Sequence, residues 1–352
     1  LDETYRRILD AILPEHKPYV IRILQFLTFS ERPLTIGEAV DALAVDTEGD
    51  QYFNPEFRMP DPQEIAHYCS SLVVVVSETG YWHGSNSDYN SNSDYNSNSG
   101  YDSDDELVSD GKLQLAHFSV KEYLMSDRLD NVLAQDFQET TASASISKVC
   151  LAYLLHFDQE LPPKEVRIRF PFAQYSATFW MRYAAVAEGE EKNSLDLIKR
   201  LFCFEEISYK VCYSLYRPDD RYGGWGRNDD KRTDAPAPPL YYAAFGNLRN
   251  MVKLLLEKNA DVNAQGGRCG NALQAASKGG HEQVVKLLLE KNADVNAQGG
   301  IHGNALQAAS SGGYEQVVKL LLKKNANVNA QGGRYGNALQ AASYRGHEQV
   351  VK

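Results

Sequence analysis

The stretch Gly-Asn-Ala-Leu-Gln-Ala-Ala begins at Gly270, returns at Gly303 and returns again at Gly336, a fixed period of 33 residues. A unit of that length cannot bury its own apolar face and must stack on copies of itself, so the C-terminal part has to be a solenoid. The period sets out residues 237–269, 270–302, 303–335 and a partial unit 336–352. Within the second, Leu273 to Ser277 begins a short helix that Gly280 ends. Gln283 to Glu290 predicts another, and its Val284, Val285, Leu287, Leu288 and Leu289 are apolar on nearly all sides, so it must lie between neighbours. Asn292 to Gly300 is then a turn and an extended finger.

The N-terminal part has a different grammar. Tyr5, Ile8, Leu9 and Ile12, then Val20, Ile23, Leu24 and Leu27, recur at helical spacing, with Pro14 and Pro18 between them. Thr35 with Glu38 has capping-box spacing and opens a third helix through Leu43 to about Val45. Asp61-Pro62-Gln63-Glu64 reads as another helix start, running to about Ser71 and handing over to the β-branched run Leu72 to Val76. A partner strand is expected only at Lys112 to Ala116, followed by an amphipathic helix from about Val120 to Met125. The expected fold is therefore mostly α: an N-terminal winged helix with a small β-hairpin over residues 1–127, a helical connector over 128–218, a linker over 219–236 and the solenoid over 237–352.

Residues 85–111 form a Ser/Asn/Asp/Tyr tract with too little apolar area to offset its ordering entropy, a disordered insertion in the wing. Its carboxylates and amides lack the glycine and terminal Glu spacing of an EF-hand calcium loop. Ser103, before an acidic run, is a possible phosphorylation site, and filler from repeat slippage is the simpler reading. In the connector, the aromatic density around Phe170, Phe172, Tyr175 and Trp180 is expected to be core.

Charge and motif content narrow the function. The net charge of -11 disfavours a polyanionic nucleic-acid partner, and the third helix carries Glu38 and Asp41 with no Lys or Arg. The five cysteines form no CxxC pair and are expected as free or buried thiols. No apolar run approaches the roughly 18 residues of a membrane span, and the N-terminus lacks a signal-peptide core. These features predict a cytoplasmic, intracellular protein without membrane or nucleic-acid partners. The absent initiator Met and the stop at Lys352 inside a repeat point to a fragment of something longer. No GxxxxGK[ST], GxSxG or HExxH motif and no zinc-spaced Cys/His cluster occurs, so no catalytic, metal or cofactor residue is assigned and the chain is expected not to be an enzyme.

With Leu-Leu-Leu before Ala-Asp-Val-Asn-Ala and Ala-Ala before a Gly-His step, residues 237–352 resemble ankyrin repeats. They depart from that family's Thr-Pro-Leu-His turn: the later copies read Asn-Ala-Leu-Gln at Asn271, Asn304 and Asn337, and the first reads Pro238-Pro239-Leu240-Tyr241. Asn and Gln side chains are expected to replace the Thr and His hydrogen bonds. Asn247 stands where the other copies end the helix with Gly, which fits because Asn tolerates a left-handed backbone.

The copies also compare with one another. They differ at Arg268/Ile301/Arg334, Cys269/His302/Tyr335, Lys278/Ser311/Tyr344, Gly279/Gly312/Arg345 and His281/Tyr314/His347. Ankyrin proteins usually contact partners through finger tips and the exposed end of the first helix. The resemblance therefore implies a protein ligand and makes Arg268, Lys278, Ile301, His302, Arg334, Tyr335, Tyr344 and Arg345 the partner-binding candidates; neutral drift is the other reading. Lys and Arg outnumber Asp and Glu in this part while the N-terminal part is acidic, which favours an acidic partner or docking of the two parts on each other.

Upstream, Leu1-Asp2-Glu3-Thr4-Tyr5, Arg32-Pro33-Leu34-Thr35, Ala42-Leu43-Ala44-Val45, Cys69-Ser70-Ser71-Leu72-Val73 and Ala116-His117-Phe118-Ser119-Val120-Lys121-Glu122-Tyr123-Leu124 resemble the winged-helix segment of fungal NACHT-ankyrin proteins, also described as the GPI inositol-deacylase type. The last motif is similar to the His-Leu-Ser-Phe-Gln-Glu-Phe of animal NLR receptors, whose histidine touches the β-phosphate of bound ADP. The resemblance makes His117 a candidate ADP sensor alongside an upstream NACHT module, ADP or ATP belonging to that module and not to this chain. It implies the regulatory and ligand-sensing region of a signal-transduction NTPase. A plain ankyrin scaffold without switching, and less favourably a DNA-binding winged helix, are the other readings.

Overall fold

A computed structural model describes residues 1–49, 51–59, 61, 64, 65, 68, 70–76, 111–188, 192–203, 207–220 and 235–352. The helix start at Pro62-Gln63, Cys69, the low-complexity tract with Ser103, and most of the 219–236 stretch lie outside the described residues.

Helix α1 (Asp2–Asp10) and α2 (Lys17–Phe29) precede strand β1 (Leu34–Thr35) and α3 (Ile36–Leu43). The Thr35 hydroxyl accepts from Glu38 N at 3.2 Å and the Glu38 carboxylate accepts from Thr35 N at 2.9 Å, so the expected capping box forms. Strands β2 (Val73–Val76) and β3 (Lys112–Leu115) pair antiparallel with Val73 opposite Leu115, and β1 pairs with the other edge of β3, giving the order β1-β3-β2. Leu34, Val73 and Leu113 face the core beneath this sheet. Helix α4 (Phe118–Leu124) begins two residues earlier than the sequence suggests, because His117 caps it: Nδ1 accepts from Ser119 N at 3.2 Å.

One sequence argument changes. Glu38 and Asp41 do not present negative charge to solvent: both are buried, Glu38 against Arg32 at 2.5 Å and Asp41 against Arg58 at 2.6 Å and the Tyr153 hydroxyl at 2.5 Å. Helix α3 is buried on nearly every side, so packing denies it to a nucleic-acid groove more directly than its charge does.

Helices α5 (Glu139–Leu155), α6 (Pro163–Arg169), α7 (Phe172–Val186), α8 (Lys192–Leu201) and α9 (Ile207–Leu215) follow. Their centre is aromatic: Trp180, Tyr153, Tyr175 and Phe172 are fully buried, with Phe172 stacked on Tyr175 at 5.2 Å. Each such ring contributes on the order of 2–3 kcal/mol through area burial alone. Ser30 Oγ and Tyr175 Oη lie 2.7 Å apart, tying α2 to this layer.

The solenoid pairs α10 (Pro239–Phe245) with α11 (Arg249–Glu257), α12 (Ala272–Gly279) with α13 (Glu282–Glu290), α14 (Ala305–Gly312) with α15 (Glu315–Lys323), and α16 (Ala338–Arg345) with α17 (Glu348–Val351). The first helices stack in one row and the second helices in another. Val284, Val285, Leu288 and Leu289 of α13 are buried between neighbours, as their apolar crowding requires. Gly280, Gly313 and Gly346 end the first helices at φ 72, 75 and 72°, and Asn247 adopts φ 58° in the first copy.

The two parts join through a built seam. Tyr213 of α9 stacks on Tyr242 of α10 at 3.9 Å and 7°, and Tyr209 Oη donates to Ala237 O at 2.6 Å. Glu188, after α7, accepts from Arg249 Nε at 2.9 Å and Asn250 N at 2.5 Å, at the N-terminus of α11. Asp219 accepts from Tyr241 Oη at 2.7 Å and Arg268 N at 2.6 Å. The connector thus covers the first repeat's open face, which a solenoid end requires.

Candidate functional site

The invariant residues of the repeat build the frame. In each later copy an Asn accepts from the backbone three residues on, Asn271 from Gln274 N at 2.9 Å, Asn304 from Gln307 N at 2.8 Å and Asn337 from Gln340 N at 2.9 Å. The Gln amides then reach forward. Gln274 Nε2 donates toward Ala297 O, Gly299 O and Gly303 O at 3.1–3.3 Å, and Gln307 Nε2 toward Ala330 O and Gly336 O at 3.0 Å. The expected replacement of Thr and His by Asn and Gln is thus present in detail. Tyr241 stands at the Gln position in the first copy with other partners, its hydroxyl accepting from Cys269 N at 3.0 Å and donating to Asp219 at 2.7 Å. Gly270 and Gly303 sit at φ 110 and 90°, and a Cβ on either would come within 2.0 Å of the Gln oxygen. An asparagine ladder runs along the turns: Asn263 accepts from Asp294 N at 2.8 Å and Asn296 from Asn327 N at 2.7 Å.

The candidate partner residues fall on this frame in three settings. Ile301 N donates to Arg268 O at 3.1 Å and Arg334 N to Ile301 O at 2.9 Å, so the three finger tips form one backbone ladder with their side chains in register. Tyr335 and Tyr344 contact each other at 5.4 Å, and the Arg334 guanidinium lies 5.7 Å from the Tyr335 ring centre. Tyr344 is 75% exposed, and Arg334 and Arg345 are exposed. Arg268 and Lys278 are half-buried, Arg268 lying 3.8 Å from Asp220.

His302 departs from the expected exposed position: it is buried, as is Cys269 in the preceding copy. Burial, then the nearby charges of Lys278, Arg268, Arg334 and Arg345, hold its pKa down at about 4, so the ring is neutral at pH 7. Ser311 Oγ lies 3.5 Å from Nδ1, a marginal hydrogen bond, and Nε2 is buried without a partner. His281 and His347, at another variable position, are half-buried and point Nε2 at Phe245 O and Ser311 O of the preceding repeat, at 3.0 and 3.2 Å. They are stacking residues.

His117 is exposed at the start of α4, remote in sequence from these residues. Nδ1 is taken up by the cap and by Ser119 Oγ at 2.7 Å, and the latter also contacts Tyr5 Oη at 2.7 Å. Among the described residues no group of His, Cys, Asp or Glu could hold a metal ion, and no helix is long and apolar enough to cross a membrane. Cys150 and Cys212 are fully buried, which pushes the Cys212 thiol up to about 12 and keeps both unreactive.

Comparison with known proteins fits the geometry. Residues 183–299 match the description "Ankyrin repeats (3 copies)" and residues 306–352 match "Ankyrin repeats (many copies)". The chain carries ankyrin repeats. The first match begins in the last turn of α7 and includes α8 and α9, upstream of the start at residue 237 that the period gives. In the ankyrin stack α8 packs on α11, beside the row of second helices.

The "Azaphilone pigments biosynthesis cluster protein L" of Monascus ruber is 37% identical over 296 residues, covering 80% of this chain and 57% of that protein. The chain therefore spans little more than half the length of this fungal relative. Residues 183–352 make up less than half of the chain, so the likeness reaches well into the region before the ankyrin repeats.

Proposed function

We propose that this chain is a non-catalytic recognition region whose ankyrin repeats bind a protein ligand through the finger tips and the ends of the first helices. One observation carries the reading: of the positions that vary between copies, Arg334, Tyr335 and Tyr344 touch at a finger tip and helix end with Arg334 and Tyr344 exposed, while the recurring Gln274 and Gln307 are consumed within the stack. Arg and Tyr are the residue types expected of interface anchors. The test is a binding measurement with Arg334, Tyr335, Tyr344 and Arg345 changed to Ala; unchanged affinity would reduce their variation to drift.

The finer reading is that the first 127 residues are a winged helix regulating a NACHT module in a longer parent. The helices around the β1-β3-β2 sheet and the exposed His117 at the head of α4 support it. Ligand on the repeats would then shift the N-terminal region away from bound nucleotide, a population shift that needs different affinity for the two states. The Tyr213–Tyr242 and Glu188–Arg249 seam supplies the mechanical continuity for that coupling. A reading frame upstream of Leu1 that lacks a Walker A motif within about one domain length, on the order of 200 residues, would leave a plain scaffold instead. The fungal relative is named for a pigment biosynthesis cluster; on this proposal a chain of this kind serves such a cluster by recognition and not by chemistry.

A further inference from the structure

A chain with net charge -11 places four cations around one buried imidazole. Arg268 and Arg334 come from finger tips, Lys278 and Arg345 from the ends of α12 and α16, so each of the four repeats contributes one. Among the described residues Lys278, Arg334 and Arg345 form no ion pair, and Arg268 has only the 3.8 Å contact with Asp220. Two exposed lysines on second helices do pair with carboxylates of their own helix, Lys253 with Glu257 and Lys319 with Glu315. Asp219 and Asp220 flank the patch at Arg268 alone, so the three unpaired cations repel one another at a cost in folding free energy, and an anion beside them relieves that repulsion. The other side of the patch is aromatic, the Tyr335–Tyr344 pair.

We propose that the face bounded by Arg268, Lys278, Arg334 and Arg345, beside Tyr335 and Tyr344, reads carboxylates, and that its occupant is an acidic peptide segment of the partner protein. This rests on the reading of the repeats as a protein-recognition surface and adds the chemistry of what they recognise. Arg268 and Arg334 stand either side of Ile301 on the finger-tip ladder, two repeats apart, and such separated cations suit side-chain carboxylates along an extended segment, whereas a polynucleotide would bring its continuous phosphate charge against an acidic protein. His302 is held neutral first by its burial and then by the charges of Lys278, Arg268, Arg334 and Arg345, so carboxylates arriving beside those cations remove the second of the two causes and the ring reports on their occupancy.

The test uses the full chain and fluorescein-labelled oligo-glutamate, with oligo-glutamine and oligo-uridylate as comparison probes. Oligo-glutamate should bind with a steep salt dependence, oligo-glutamine should not, and the triple variant Lys278→Glu/Arg334→Glu/Arg345→Glu should weaken binding at least about tenfold. Lys286→Glu, on an exposed second helix, should bind as the parent does. The His302 ring resonances should titrate at higher pH in the complex, which binding elsewhere would not produce. Equal binding by the triple variant, equal binding of oligo-glutamine, or tighter binding of oligo-uridylate that the triple variant abolishes would each overturn the proposal. Selection of random displayed peptides separates it from the broader reading: neutral peptides that depend on Tyr344 would refute the acidic partner and keep protein recognition, and enrichment of none would count against both.

Discussion

His302 should make the third repeat sensitive to mild acid. Its unfolded value is near 6.5 and its folded value about 4, so folding must expel a proton at any pH between them. Stability contributed by the neutral ring is fully present above about pH 6.5 and is lost as the pH falls toward 4. At about pH 5 the unfolded ring is almost fully charged and the folded ring mostly neutral, a population ratio of roughly 30 that is worth about 2 kcal/mol. The perturbation is His302→Cys, which copies the residue buried at the same position in the preceding repeat and removes this titration alone. Urea unfolding of both proteins at about pH 7.5 and pH 5 gives the comparison: the parent should lose about 2 kcal/mol more than the variant on acidification. Because carboxylates elsewhere titrate alike in both proteins, the difference between the two losses isolates the ring. A difference below about 0.5 kcal/mol, or a His302 resonance that titrates at an ordinary histidine value, would refute the reasoning.

Other outcomes follow from the same contacts. Gln274→Ala or Gln307→Ala should cost about 1–3 kcal/mol by removing the side-chain donor to the Ala297 or Ala330 carbonyl of the finger, whereas Gln340→Ala, whose amide has no such partner among the described residues, should be near neutral; urea midpoints compare the three. Gly303→Ala should destabilise more than Gly346→Ala, because both positions have positive φ but only the first would drive a Cβ into the Gln307 oxygen and a backbone nitrogen 2.8 Å away. Asp41→Ala should cost about 3–5 kcal/mol in thermal unfolding, since it leaves Arg58 and the Tyr153 hydroxyl without their acceptor in a buried setting. His117→Ala should cost only about 1 kcal/mol as a lost helix cap, so a much larger change in nucleotide retention by a NACHT-containing parent would support the sensor role, and none would oppose it.

The 33-residue period, the finger turns and the helix-ending positions were legible because copies expose their own rules: what recurs at Asn304, Leu306 and Gln307 is what stacking needs. The capping box at Thr35 was equally plain, since it is satisfied within four residues of chain. Three features were not. The seam depends on Asp219, Glu188 and Tyr213, which carry no periodic signal and meet their partners only through packing. The repeat-like match beginning at residue 183 breaks the period that made the later copies visible. Burial of Glu38 and Asp41 was hidden because the arginines that permit it, Arg32 and Arg58, lie outside their helix.

The sequence alone determined that this chain must end in a stack, because a unit repeated every 33 residues has an apolar face that only its own kind can cover. It also determined the turn chemistry, since glycine at Gly303 and asparagine at Asn247 answer to local backbone geometry. Tertiary structure decided which variable residues are available to a partner. Ile301 and His302 are chain neighbours, yet one lies exposed on the finger tips and the other is buried among cations. Exposure at such a position is set by the repeats above and below it, and no single copy contains that information.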